Sequence, residues 1–139
     1  MYFVNVEQIA VRLAMVENIV TVLKQLTTNW QGDTLQSFAQ ERALHLAAEI
    51  VTDVGNYIID GFIMRDASSY EDIVDIIGEE GVYPEAIHDG LMELVLLRKP
   101  LVQQYFAWPR AELHPLSDRL PEILLQFKQA VEQYIEREL

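Results

Sequence analysis

An all-α fold, an up-down bundle of four long helices and one short one, is predicted by two observations. Apolar residues recur at helical spacing almost throughout the chain, and no segment alternates cleanly enough to be a strand. With 139 residues the chain has the size of a single domain (1–139) and can bury a sizeable core unaided. No internal repeat, low-complexity tract or linker divides it.

The elements follow in order. Val6, Ile9, Leu13, Val16, Val20, Leu23 and Leu26 form one stripe and predict a first helix over 5–27. The segment Asn29-Trp30-Gln31-Gly32-Asp33 breaks it, and Asp33 or Thr34 caps a long second helix. That helix carries Leu35, Phe38, Leu46, Ile50, Val54, Ile58 and Phe62 on its apolar stripe. Gly55 inside it costs about 1 kcal/mol relative to alanine unless close packing needs the space. Ser68 with Glu71, or Ser69 with Asp72, resembles a capping box for the short third helix, and Gly81 stops it.

Pro84 suits the first position of the fourth helix, with Glu85 favourable near its positive end. Leu91, Leu94, Val95, Leu97, Leu101 and Val102 line this helix, and Pro100 should bend or break it. Trp108-Pro109 reads as a loop. The last helix covers 112–137, its start blurred by Pro115 and Pro121, with Ile123, Leu124, Phe127, Val131, Tyr134 and Ile135 on its stripe.

Composition narrows the functions. The chain has no cysteine, so disulfide, thiolate and cysteine–zinc chemistry are excluded. The N-terminal residues lack the pattern of a signal peptide, and no apolar run could cross a bilayer, so the expected compartment is the cytosol and no membrane partner is expected. Half of the residues are hydrophobic, which suggests a second copy of the chain as the place to hide apolar surface, a homodimer. A net charge of −12 repels phosphate backbones and makes any RNA contact weak. Between Glu49 and Glu93 the only Lys or Arg is Arg65, which reads as a solvated acidic face or as a docking surface for a basic partner.

Glu41, His45, Glu49 and Asp53 stand four apart, so they form a polar ladder on one face of the second helix. Paired carboxylates suit acid–base work, and His45, Glu49 and Asp53 have the chemistry of a metal site. Ligands from one helix cannot close a metal shell, and the paired Glu-x-x-His motifs of a di-metal bundle are absent, so no metal and no cofactor are expected. The plainer reading is a groove or dimer seam. His88 and His114 read as surface histidines. No nucleophile elbow and no phosphate loop occurs.

The segment Leu97-Arg98-Lys99-Pro100-Leu101-Val102-Gln103-Gln104-Tyr105 puts positive charge and a phenol on a proline-interrupted helix. Here the chain resembles the HepT-like family of ribonuclease toxins in the HEPN superfamily. Members of that family carry an arginine, four to six residues, a histidine, one residue and a tyrosine on a late helix. Typical members read Arg-Asn-x-Leu-Val-His-x-Tyr. Arg98 falls on the arginine, Leu101-Val102 on the hydrophobic pair and Tyr105 on the tyrosine. The resemblance spans nearly the whole chain, including the Met-Tyr-Phe-Val opening, the Gly55-Asn56 step and the Ser69-Tyr70-Glu71-Asp72-Ile73 helix start.

The resemblance implies a HEPN-like bundle and metal-independent RNA cleavage in a cleft made by two subunits. The histidine would act on the 2′-hydroxyl or the leaving group, and the arginine would stabilise the phosphorane. It also implies a nucleotidyltransferase-type antitoxin as partner, which would modify Tyr105 with AMP. Two departures weigh against catalysis: Lys99 replaces the usual asparagine, and Gln103 stands at the catalytic histidine. Glutamine hydrogen-bonds but cannot exchange a proton near neutral pH, and losing an acid–base group removes about 10²–10⁴ in rate.

The expected site is therefore Arg98, Gln103 and Tyr105, supported by Glu49, Asp53, Asn56, Lys99 and Gln104. Arg98 is expected to pair with Glu49 or Asp53. Three functional classes remain open: a HepT-like ribonuclease with altered residues, a catalytically silent relative binding a protein or nucleotide in the same cleft, and a purely structural dimeric bundle.

Overall fold

The computed structural model describes residues 2–139, so Met1 of the Met-Tyr-Phe-Val opening lies outside the described residues. Every regular element among them is helical. Asn5 caps α1 (Val6–Leu13) by accepting a hydrogen bond from the Gln8 amide at 3.2 Å. The predicted first helix is not continuous. At Ala14–Met15 the turn tightens, with the Met15 amide reaching back only to the Arg12 carbonyl at 3.1 Å, before α2 (Val16–Thr28) resumes. Leu13 and Val16, three apart across this step, are both buried.

Asp33 caps α3 (Thr34–Gly61), accepting from the Gln36 amide at 2.8 Å. This 28-residue helix is the axis of the molecule and packs against α1, α2 and every later helix. Leu35 and Phe38 depart from its predicted apolar stripe. Leu35 is 81% exposed and Phe38 54%; the Phe38 ring lies under the Arg110 guanidinium, 5.3 Å from it, at the rim of a groove with Leu101. Gly55 has the packing reason that sequence reasoning required, since a Cβ there would collide with the Ile73 side chain.

Of the two capping boxes, the Ser69–Asp72 pair forms: the Ser69 hydroxyl accepts from the Asp72 amide at 3.0 Å and starts α4 (Tyr70–Glu79). The Asp72 carboxylate turns to Arg65 and the Ser68 amide, which hold its pKa down at about 2. Gly81, at φ +74°, takes the left-handed conformation that ends the segment. Pro84 precedes a single 3-10 turn rather than opening a helix directly, and α5 (His88–Leu96) follows. The break expected from Pro100 occurs at Leu97. Proline has no amide to offer the Leu96 carbonyl and its ring crowds that group, so the Leu97 amide bonds back to Leu94 at 3.1 Å and α6 (Arg98–Gln103) starts afresh.

After a 3-10 turn at Tyr105–Ala107 the chain loops to α7 (Leu116–Glu138), which begins four residues later than the hydrophobic pattern suggests. Gln40 of α3 explains the delay. Its side chain is fully buried, accepts from the His114 amide and the Ser117 hydroxyl at 2.8 and 2.7 Å, and donates to the Glu112 carbonyl at 3.1 Å. These bonds hold residues 112–114 in a loop against α3.

With α1–α2 and α5–α6 each counted as one interrupted rod, the fold is four long helices and one short one, as predicted. One apolar core, including Leu23, Leu44, Ile58, Ile77, Leu94, Leu120 and Phe127, runs through it. No helix among the described residues is long and apolar enough to cross a membrane.

Candidate functional site

The polar ladder of α3 is met rung by rung by arginines from other parts of the chain. Arg12 of α1 donates to Asp53 at 3.0 Å. Arg98, the first residue of α6, donates through Nε to Oε1 of Glu49 at 2.8 Å. Arg110, in the loop after α6, bonds Glu41 through two nitrogens at 3.2 Å each. Between the last two rungs His45 places Nε2 3.2 Å from the same Glu49 Oε1 that Arg98 uses.

This pairing orients α6 along α3. Arg98 lies at the level of Glu49, Leu101 lines a groove with His45, and Tyr105 lies at the level of Glu41, because Arg110 binds both the Tyr105 carbonyl and that carboxylate. The spacing of Arg98 and Leu101 puts them on one face of α6, toward Glu49 and His45, whereas Tyr105 follows in the next turn and reaches Glu41 only through its carbonyl and Arg110. The Arg98 guanidinium also lies over the Tyr70 ring, 4.1 Å from its centroid, a cation–π contact that fixes its plane.

The predicted residues therefore divide. Arg98 and Glu49 come together as expected. Asp53 and Asn56 do not join them; they line a separate polar cavity of about 420 Å³ with Arg12, Tyr57 and Asp60. Lys99, Gln103 and Gln104 are exposed. Gln103 has no side-chain hydrogen bond to a described residue. Tyr105 is 59% exposed, its ring edge-on to Phe106. Arg12, Arg110 and Tyr70 were missed by sequence reasoning. A basic residue spaced to reach a carboxylate on a distant helix leaves no periodic signal, and Tyr70 counted only as a helix start.

The remaining histidines are less bland than predicted. His88 joins Asp75 of α4 at 2.9 Å and its neighbour Asp89 at 3.2 Å, and these carboxylates raise its pKa. His114 is half-buried, a correction to its expected surface position. It stacks on Trp108 at 5.8 Å, accepts from the Leu116 amide at 3.0 Å through Nδ1, and is pushed down in pKa by burial. Trp108, expected in a loop, lies in that loop but is buried. Among the described residues no three His, Asp or Glu side chains converge as metal ligands, since the ladder carboxylates are turned to arginines.

Residues 13–130 match the profile of a family described as Ribonuclease HepT-like. A Bacillus subtilis (strain 168) protein named Putative RNase YutE is 39% identical over 139 residues, covering all of this chain and 95% of that protein. The solved structure of YutE, described as a cytosolic protein of unknown function, superposes with a TM-score of 0.91 at 39% identity, covering all of this chain and 96% of the other.

Proposed function

This chain belongs to the HepT-like ribonuclease family, and on that premise we propose a HEPN-type protein of a toxin–antitoxin pair whose RNA cleavage is degenerate. The observation that carries the reading is Gln103, exposed on the motif helix where the family has histidine. In the reaction of such a cleft the RNA 2′-oxygen attacks the adjacent phosphorus, the P–O5′ bond breaks, and negative charge grows on the phosphoryl oxygens. Arg98 is suited to that charge: its guanidinium is always protonated, and its Nε is spent on Glu49 while its outer nitrogens make no bond to a described residue. Gln103 can orient the 2′-hydroxyl or the leaving oxygen but cannot take or give a proton.

Two copies are proposed to form the cleft in the cytoplasm. Phe38, Tyr105 and Phe106 support this, since Arg110 bridges the Phe38 ring and the Tyr105 carbonyl and leaves three exposed aromatic rings beside the motif. The exposed Tyr105 hydroxyl also suits AMP transfer by a nucleotidyltransferase-type antitoxin: its oxygen would attack the α-phosphorus of ATP and expel pyrophosphate. A nucleotidyltransferase gene beside this one would support the pairing.

Sedimentation equilibrium at micromolar concentration should give twice the monomer mass, and a labelled RNA should bind in a salt-dependent way that Arg98→Ala weakens at least tenfold. A strict monomer, or RNA binding indifferent to Arg98, overturns the reading. The exposed aromatic face favours one alternative, a silent dimer that binds a protein or nucleotide. Such a protein would stay inactive on RNA even after Gln103→His.

A further inference from the structure

A histidine that the family motif does not contain stands beside the motif arginine. His45 and Arg98 share one oxygen, Oε1 of Glu49, at 3.2 and 2.8 Å. His45 therefore stands next to the arginine of the motif, although it comes from another helix. It opens into a groove of about 210 Å³ with Leu101, Phe38, Glu41 and Arg42, at the level of α6 that lies between Arg98 and Tyr105.

The hydrogen bonds define the state of the ring. The Glu49 carboxylate only accepts, so Nε2 of His45 carries the hydrogen. The Arg42 guanidinium only donates, and it sits 3.4 Å from Nδ1, so Nδ1 keeps its lone pair. That contact is long, and Arg42 is exposed, so a substrate hydroxyl can displace it. A histidine held by a carboxylate on one nitrogen and free to accept on the other is the arrangement that orients a general base. Histidine is also the side chain that ordinarily exchanges protons near neutral pH.

We infer that His45, Glu49 and Arg98 form a reaction centre for RNA, with His45 as the proton acceptor. This rests on the HepT-like ribonuclease reading and deepens it. His45 Nδ1 takes the proton of the 2′-hydroxyl, the 2′-oxygen forms a bond to phosphorus, and the P–O5′ bond breaks. Water protonates the departing 5′-oxygen, leaving a 2′,3′-cyclic phosphate and a 5′-hydroxyl, and His45 returns its proton to solvent. Glu49 holds the ring, while Arg98 and Arg42 face the phosphoryl oxygens. The charged groups around His45 are Glu41, Arg42 and Glu49 on α3, Arg98 on α6, and Arg110 through Glu41.

The test is single-turnover cleavage of an RNA oligonucleotide across pH 5–9 by the full-length protein, its His45→Gln and His45→Asn variants, Arg98→Ala and Gln103→His. Binding of the 2′-deoxy analogue and circular dichroism are measured in parallel. The expected result is slow wild-type cleavage that rises with pH as a single basic group deprotonates. Both His45 variants should lose at least tenfold in rate, with analogue binding within twofold and helicity intact. Wild-type cleavage unchanged by either variant overturns the role of His45 and leaves the family reading standing. Cleavage by Gln103→His from an inactive wild type does the same. If neither the wild type nor Gln103→His cleaves or binds RNA, the ribonuclease reading falls as well.

Discussion

Arg98 and Glu49, 49 residues apart in sequence, meet at 2.8 Å, and this bond fixes the motif helix against the polar face of α3. Both side chains are about three-quarters buried, so the bond is more than a surface ion pair. Arg98→Ala should cost about 1 kcal/mol, because it leaves a largely buried carboxylate with His45 as its remaining side-chain donor. Arg98→Lys should restore part of that stability but little RNA affinity, since an ammonium cannot hold Glu49 in a fixed plane, stack on Tyr70 and face a phosphate together. Chemical denaturation and RNA titration of the two variants separate these effects.

Gly55→Ala should destabilise by about 1–3 kcal/mol even though alanine is the better helix former. The added methyl meets Ile73 of α4. Gly55→Ala combined with Ile73→Ala should recover part of the loss relative to the sum of the single changes. A double-mutant cycle with strictly additive costs would show that α3 and α4 do not meet there.

Gln40→Ala should cost about 3 kcal/mol, since it empties a fully buried site and strips the Glu112 carbonyl, the His114 amide and the Ser117 hydroxyl of their partner. The measurement is the denaturation midpoint, with hydrogen exchange expected to quicken at residues 112–117.

His88 ties α4 to the start of α5, and its pKa is raised by Asp75 and then Asp89. A raised folded-state value means that the charged form is favoured by folding. This stabilisation is fully present below the ordinary histidine value of about 6.5 and is lost as pH rises through the raised one. The stability gap between the protein and His88→Ala should therefore be wide at pH 6 and narrow at pH 9. A gap that widens with pH would contradict the His88–Asp75 pairing.

The helices were legible because apolar spacing reports burial: of the first stripe, Ile9, Leu13, Val16, Val20, Leu23 and Leu26 are buried, and Val6 at its start is exposed. The interruptions were less legible. Pro100 announced its break, whereas the tightened turn at Ala14–Met15 has neither proline nor glycine to mark it. Leu35 and Phe38 misled because spacing shows which side chains share a face, not whether anything covers it. In the site, the family signature located Arg98 and Tyr105, and the four-residue spacing located the ladder. Which arginine answers which carboxylate was beyond reach. Asp53 and Glu49 are equivalent on a helical wheel, and only the tertiary path assigns one to Arg12 and the other to Arg98.

The most direct measurement is the single-turnover RNA cleavage rate of the wild-type protein beside Gln103→His, each with and without Arg98→Ala. A degenerate HepT-like cleft predicts a rate at least 10² higher for Gln103→His, abolished in both backgrounds by Arg98→Ala. Equal rates for the wild type and Gln103→His, both sensitive to Arg98, would contradict it and show that glutamine at this position costs the enzyme nothing.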